Sequence, residues 1–306
     1  MKRPGLVVLI IVCLIVFFTT ITGGILLAVQ NFGSAGVFDP AQFVNKISTL
    51  LDKYSQFNFI PGWGQAYEFD ETRNLDLTDV DAVEIITVSE DLVVTAGDNA
   101  FAHLNGSYRT FGGKLEWVTE KTGSTLSIHT RYPRVGMLRS NLNLAVQIPA
   151  SFTGSVKITT VSASSVLSDD VACLWKKLDI NSVSGKIDVA RGEFGEMSFG
   201  TVSGSVQIDQ LNAPLSGKTV SGAINLSFRI FHAATLNTVS GAVRVDLPSD
   251  AQGNFEFSSV SGNFRNDGMP LSQESQKNRK FSGTFGQGGD MLRVQTTSGN
   301  LVMNQH

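Results

Sequence analysis

The chain has 306 residues, of which 42% are hydrophobic and only 17% charged. That charged share is below the ~25% of an average soluble protein, which excludes an acidic tail, a disordered chain and long solvated helices. With 24 Lys and Arg against 27 Asp and Glu, net −3, no basic excess is available to coat nucleic acid. Two Cys cannot build a disulfide framework.

No charged residue stands between Arg3 and Asp39. As a helix, the apolar run Leu6–Val29 would rise about 35 Å, enough for a hydrocarbon core of ~30 Å. A cleaved signal peptide has a shorter apolar region and a small-residue cleavage site; here the run is long, and only Ser34-Ala35-Gly36 follows. A retained anchor over residues 1–30 is therefore expected, with residues 6–29 in the lipid bilayer. Lys2 and Arg3 just before it keep the N-terminus cytoplasmic and send the rest of the chain outside. Cys13 then lies in the bilayer and Cys173 in the exported part, so they cannot pair within one chain. Val171, Leu174 and Trp175 around Cys173 predict a buried thiol.

Residues 31–65 read as a short helix and linker. Over 39–57, Asp39 and Gln42 form a capping-box pattern around Pro40, and Phe38 and Phe43 are spaced as a hydrophobic staple. Phe43, Ile47, Leu50, Leu51 and Tyr54 recur on one face. Such a helix lies on the outer leaflet or packs on the domain behind it. The polar face (Asn45, Lys46, Ser48, Thr49, Asp52 and Lys53) is poorly basic for anionic lipid and favours packing. Pro61-Gly62-Trp63-Gly64 ends this segment.

The strongest signal is a repeat. One phrase returns as Val183-Ser184-Gly185, Val202-Ser203-Gly204, Val220-Ser221-Gly222, Val239-Ser240-Gly241, Val260-Ser261-Gly262 and Thr297-Ser298-Gly299. Successive glycines are 19, 18, 19, 21 and 37 residues apart. Phe281-Ser282-Gly283 fills the long gap as a degenerate copy, and Val161-Ser162-Ala163 reads as an earlier one. Apolar residues alternate before each phrase, as in Leu178/Ile180/Ser182, and after it, as in Ile187/Val189. Period two on both sides means half-buried strands. Glycine at the corner is expected to supply a positive φ. Self-similarity at this period means stacked units, each sealing its neighbour's apolar side.

The predicted fold is all-β. It is a parallel β-helix (β-solenoid) over 66–306 with rungs of about 18–22 residues, right-handed by the general preference of parallel crossovers. Gly185, Gly204, Gly222, Gly241, Gly262 and Gly299 form its structural rung corners. The Ser or Thr before each Val is expected to form an interior hydroxyl ladder. Asp188, Gln207, Asn225, Arg244 and Arg265 are expected in one outward column; Asp179, Ser198, Ser216, Thr235 and Glu256 form a second. Upstream, Val83–Val94 repeats the grammar with Glu90 in the glycine place. Leu115–Thr119, Leu126–Thr130 and Leu142–Ile148 read as strands of the first coils and a hairpin-like insertion.

These rungs, the Val83–Val94 opening, the Leu142–Pro149 strand and the closing Gly286–Gly289 and Leu292–Met303 segments resemble the bacterial putative adhesin domain over roughly residues 70–304. The resemblance implies a β-rung fold in a bacterial envelope protein, with relatives tied to cell-envelope stress and antimicrobial-peptide responses. It carries over no ligand-binding residue.

Catalytic constellations are weak. Asp169-Asp170 is the adjacent Asp pair of the solenoid, but a glycosidase needs two carboxylates ~5–9.5 Å apart across a cleft, and the pair reads as a turn. His103, His129, His232 and His306 have no metal-ligand spacing. Ser216-Gly217-Lys218-Thr219 imitates the end of a phosphate loop, yet Asn212 replaces the first Gly and a rung follows in place of a helix. Lys176-Lys177 and Lys277–Lys280 read as solvated basic patches. Ser272–Lys280, read as the longest irregular return loop, is a candidate contact site. No catalytic residue, metal or cofactor is expected. The reading is a membrane-anchored envelope protein whose exported solenoid is a binding or scaffolding surface for envelope proteins, peptides or cell-wall glycans. A polysaccharide lyase or hydrolase on the same fold is the alternative.

Overall fold

Alternating apolar residues give each rung strand one buried face: in Leu215–Thr219 and Ile224–Phe228 every second side chain is buried. A lone rung has nothing to bury that face against, so the rungs stack. The computed structural model describes residues 65–132, 135–167, 173, 175–277 and 279–306. The apolar span 6–29, Cys13, the helix expected over 39–57 and Asp169-Asp170 lie outside the described residues. Among the described residues, no helix is long and apolar enough to cross a membrane.

The chain enters through β1 (Gln65–Asn74) and makes a first rung of β2 (Ala82–Thr87) and β3 (Asp91–Gly97). β4 (Phe101–Gly112), β5 (Glu116–Thr122), β6 (Thr125–Arg131) and β7 (Val135–Pro149) follow. The next rungs are β8 (Ser155–Thr160) with β9 (Ser165–Leu167), and β10 (Lys177–Ser182) with β11 (Ile187–Val189). β12 (Gly192–Glu193) is a short return strand before β13 (Met197–Thr201) and β14 (Val206–Asn212). β15 (Leu215–Thr219) with β16 (Ile224–Phe228), then β17 (Ala234–Thr238) with β18 (Val243–Leu247), continue the stack. β19 (Gly253–Ser259) and β20 (Phe264–Asp267) precede a hairpin of β21 (Ser272–Lys277) and β22 (Lys280–Phe285). β23 (Met291–Thr296) and β24 (Leu301–Gln305) complete the chain.

First strands pair with first strands and second with second, giving two sheets. One runs β1-β4-β7-β3-β9-β11-β14-β16-β18-β24-β20, with β12 on β14, and is called the A sheet below. The B sheet runs β5-β6-β2-β8-β10-β13-β15-β17-β23-β19-β22-β21. The rung pairings are parallel, so like stacks on like: Val156, Leu178, Met197, Leu215 and Ala234 form one buried column.

Spatial order departs from chain order at both ends. β23 and β24 fit between β17/β18 and β19/β20. Likewise β6 and β7 lie outside β2 and β3, while β8 and β9 take the inner side. The Phe281-Ser282-Gly283 copy is not a rung, because β22 runs antiparallel to β19 and its Gly283 packs against the Phe255 ring. Ser272–Lys280 is likewise no irregular loop; it forms most of the β21–β22 hairpin closing the B sheet. Aromatic rings fill this end: Phe264 lies 5.0 Å from Phe255 and 5.6 Å from Phe281.

The corners explain the repeated phrase letter by letter. The Thr or Ser before Val points inward, giving the hydroxyl ladder of Thr160, Ser182, Thr201, Thr219, Thr238, Thr296 and Ser259, all buried. From Thr201 onward the hydroxyl accepts the glycine N–H three residues on, as at Thr219 Oγ1 from Gly222 (3.0 Å) and Thr238 Oγ1 from Gly241 (2.9 Å), whereas Thr160 and Ser182 donate to the carbonyls of Ala163 (3.2 Å) and Gly185 (2.9 Å). The next Ser donates its N–H to the Val carbonyl of the adjoining rung: Ser221 to Val202 and Ser240 to Val220, both 2.9 Å. Its hydroxyl reaches the same carbonyl at 3.3 and 3.4 Å. Glycine closes the turn, but not through a positive φ. None of the six corner glycines is among those with positive φ, which corrects the expectation from sequence. A Cβ on Gly222 would instead run into the Gly204 carbonyl, and one on Gly241 into that of Gly222. The stack needs bare backbone at the corner because successive rungs touch there.

Gly222→Ala should therefore cost about 3 kcal/mol as an overpacked backbone contact, and Gly222→Asn, a residue tolerant of positive φ, should be no milder. Gly123→Ala, at φ +60° in open space, should cost only about 1 kcal/mol. Urea unfolding of the three variants checks this ordering.

Candidate binding surface

The corner column is structural. Gly185, Gly204, Gly222, Gly241, Gly262 and Gly299 are all buried and touch in the spatial order 185, 204, 222, 241, 299, 262. Ala163 precedes Gly185, so Val161-Ser162-Ala163 is a true earlier corner. Ser216–Thr219 lies mostly within β15, where Gly217 packs between Phe199 and Leu236; no phosphate cradle exists there.

Glu90 is the residue whose role sequence reading missed. It is fully buried, and one carboxylate oxygen accepts the N–H groups of Val88 (2.8 Å) and Ser89 (3.0 Å). In regular rungs those two N–H groups go to carbonyls of the adjoining rung, as Val183 and Ser184 donate to Thr160 and Val161. In the β2–β3 rung the Glu90 carboxylate takes both of these N–H groups instead. Its other oxygen accepts from the Thr130 and Tyr132 hydroxyls. Burial first, then the Glu90 charge, pushes the Tyr132 phenol well above its ordinary value of 10.0. The only sequence cue was a carboxylate occupying a glycine place.

The remaining polar groups line the outer faces. In the A sheet, Asp188, Gln207, Asn225, Arg244, Val302 and Arg265 stand in register, the expected column with Val302 inserted. In the B sheet, Asp179, Ser198, Ser216, Thr235, Arg293 and Glu256 do the same, with Arg293 inserted. Many of these groups pair locally: Arg265 with Asp267 at 2.8 Å, Arg244 with Asp246 at 3.4 Å, Ser198 with Asp179 at 2.9 Å. Lys177 of the basic pair meets Glu196 at 2.8 Å.

A denser cluster occupies the A sheet near β1. Across β1, β4 and β7, Thr72 Oγ1 lies 2.8 Å from His103 Nδ1, and His103 Nε2 lies 2.9 Å from Asn105 Nδ2. Asn143 Nδ2 donates to Asn105 Oδ1 at 3.2 Å, and the exposed Asp70 carboxylate is 3.6 Å from His103. Beside them Ala145, Val93 and Val166 stand in register, with Val93 39% exposed. Amides, a hydroxyl and an imidazole are thus pre-positioned next to an apolar strip. β4 and β7 are paired on both sides, so a ligand lying over them meets side chains only, whereas β1 is the edge of the sheet. The other histidines lie apart: His129 is buried on β6, and His232 Nε2 is 2.9 Å from Asn212 Oδ1. Among the described residues no group of three or more His, Cys, Asp or Glu is arranged for a metal ion.

Two β-sheets of in-register rungs with a polar outer face define a β-solenoid of the Toastrack class. Residues 134–304 match the Toastrack DUF4097 family, and the chain belongs to it. Two solved structures are similar. A putative cell adhesion protein from Clostridium sporogenes is 10% identical, covering 78% of this chain and 100% of its own, with a TM-score of 0.34. A putative lipid binding protein from Parabacteroides distasonis is 17% identical, covering 78% and 96%, with a TM-score of 0.36. No curated protein matches the chain.

Removing Glu90 takes away the acceptor shared by the Val88 and Ser89 N–H groups and by the Thr130 and Tyr132 hydroxyls. Glu90→Ala should cost about 3 kcal/mol in urea unfolding and Glu90→Gln less, since unsatisfied buried groups cost ~1–3 kcal/mol each. The raised Tyr132 pKa sets a second expectation. Below about pH 10 both states keep the phenol protonated; above it the unfolded chain loses the proton first, so stability falls as pH rises. The fall should be steeper in the wild type than in Tyr132→Phe when Tm is followed from pH 8 to 11.

Proposed function

We propose that this is a membrane-anchored envelope protein whose exported solenoid, wound right-handed as parallel crossovers generally are, works as a binding surface. Residues 6–29 hold it in the bilayer and residues 31–65 connect the anchor to the domain. The contact face is the outer A sheet around Asn105, Asn143 and His103. The observation that carries this reading is their hydrogen-bonded network across three neighbouring strands, flanked by the Val93 strip. Planar amides that both donate and accept, beside a shallow apolar strip, suit a hydroxyl-rich polymer such as a cell-wall glycan. An extended peptide lying across β4 and β7 gains less, because its main chain finds no free strand edge there.

Two measurements test it. Protease added to intact cells, or to spheroplasts where an outer membrane surrounds them, should remove the region after residue 65; protection reverses the orientation. Full-length protein in detergent should co-sediment with purified cell-wall polysaccharide. Asn105→Ala with Asn143→Ala should weaken that binding roughly tenfold at unchanged Tm, each lost hydrogen bond contributing ~0.5–1.5 kcal/mol. Unaltered binding removes this face from the reading, and release of new reducing ends would make the protein an enzyme.

A further inference from the structure

The β21–β22 hairpin ends in a turn that the stability of the domain does not account for. Lys277, the last residue of β21, stands directly opposite Lys280, the first of β22, and like charges facing each other across a strand pair are destabilising. The second residue of the turn between them is Arg279, at φ +58°. A two-residue turn that requires a positive φ there ordinarily holds glycine, as in Asn-Gly, and a long side chain in that conformation is strained. Three cations thus fall within residues 277–280, and all three are exposed. None has an ion-pair partner among the described residues, whereas Arg265 and Arg293 at the same end face Asp267 at 2.8 Å and Glu256 at 3.9 Å. Glu274 is the single carboxylate of the two strands, which leaves the hairpin net positive. Every residue of β21 is exposed, yet the turn is held in place. Ser259 donates its N–H to the Arg279 carbonyl at 3.2 Å, tying the tip to the corner of the β19–β20 rung.

Charge on an edge strand deters unwanted pairing, and Glu274 and Lys277 supply it along β21. Edge protection asks for no arginine in the turn and no lysine opposite a lysine. Strain and repulsion kept together at one exposed point suggest a partner that relieves both, and that partner must be anionic. An arginine fork takes two oxygens of one phosphate, and lysines add point charges beside it. Three positive charges at one tip exceed what a single carboxylate neutralises. They are also fewer than the roughly 4–8 basic residues of a lipid-binding cluster. A chain that carries phosphate at each repeat suits the tip better, because it presents group after group at high local concentration. We propose that Lys277, Arg279 and Lys280, at the tip of the β21–β22 hairpin, form a binding site for a phosphate-bearing polymer. β21 closes the B sheet at the end opposite β5, so this site is separate from the Asn105 face and does not depend on the glycan reading.

Full-length protein in neutral detergent should bind inorganic polyphosphate, with affinity falling as salt rises because the cations are exposed. Polyglutamate at the same charge concentration should bind roughly tenfold more weakly. Lys277→Gln with Lys280→Gln should weaken polyphosphate binding roughly tenfold without lowering Tm, since the change removes a repulsion. Arg279→Gly separates binding from folding: it supplies the residue the turn prefers, so Tm should hold or rise while binding drops roughly tenfold. A lower Tm in that variant would mean that the arginine serves the fold, and overturns the site. Asn105→Ala with Asn143→Ala should bind polyphosphate as the wild type does; a loss there would move the site to the other face and also overturns it. Undiminished binding by the hairpin variants, or equal binding of the two polymers, has the same consequence. So does tighter competition by short-chain, water-soluble phosphatidylglycerol than by glycerol phosphate, which would assign the tip to a lipid.

Discussion

Everything in this protein hangs on how closely one rung approaches the next at the corner. There the serine N–H of one rung meets the valine carbonyl of its neighbour, and bare glycine backbone touches bare glycine backbone. This contact sets the register, and the register decides which side chains stack inside and which stand outside. The inward hydroxyl completes the turn by accepting the glycine N–H. In the glycine corners the inward hydroxyl and the backbone N–H groups are partnered, so these turns can sit at the edge of a dry core.

A structure built by repetition must also stop. The interior rungs satisfy one another, but a terminal rung has one neighbour fewer. The protein solves this in chemically different ways. One slot in from the N-terminal end, in the β2–β3 rung, Glu90 supplies carboxylate oxygens where regular rungs use a neighbour's carbonyls. At the far end, an antiparallel hairpin occupies the exposed edge of β19 and phenylalanine rings seal the layer beneath it. The displaced chain order follows from the same need. At the C-terminal end the chain passes one slot and returns to fill it with β23 and β24; at the N-terminal end it starts one slot in, adds β6 and β7 outside, and then crosses to β8 and β9.

Stacking uses the inward side chains and leaves the outer faces to columns of mostly polar residues. Parallel stacking repeats each outward position at steps of ~4.8 Å, so the solenoid displays columns of side chains with little freedom to rearrange. Most columns are occupied by local ion pairs, which solvate the surface. The cluster near β1 differs in joining a hydroxyl, an imidazole and two amides across β1, β4 and β7. β1, the first described strand, supplies Thr72 to that cluster.

The repeated phrase and its alternating flanks were enough to read the all-β stack, the corner column, the hydroxyl ladder and the outward columns, because those features arise from local period and from each unit's inability to bury itself. Three matters were decided only in three dimensions. Spatial order at the ends depends on long-range pairing, so Phe281-Ser282-Gly283 read as a rung although it belongs to a capping hairpin. The reason for glycine at the corners lay in a contact between chain segments some 19 residues apart, which a single segment read for its own φ could not reveal. Glu90, His103, Asn105 and Asn143 were scattered polar residues in the chain; neighbouring strands brought them together, and burial or pairing then decided what each one does.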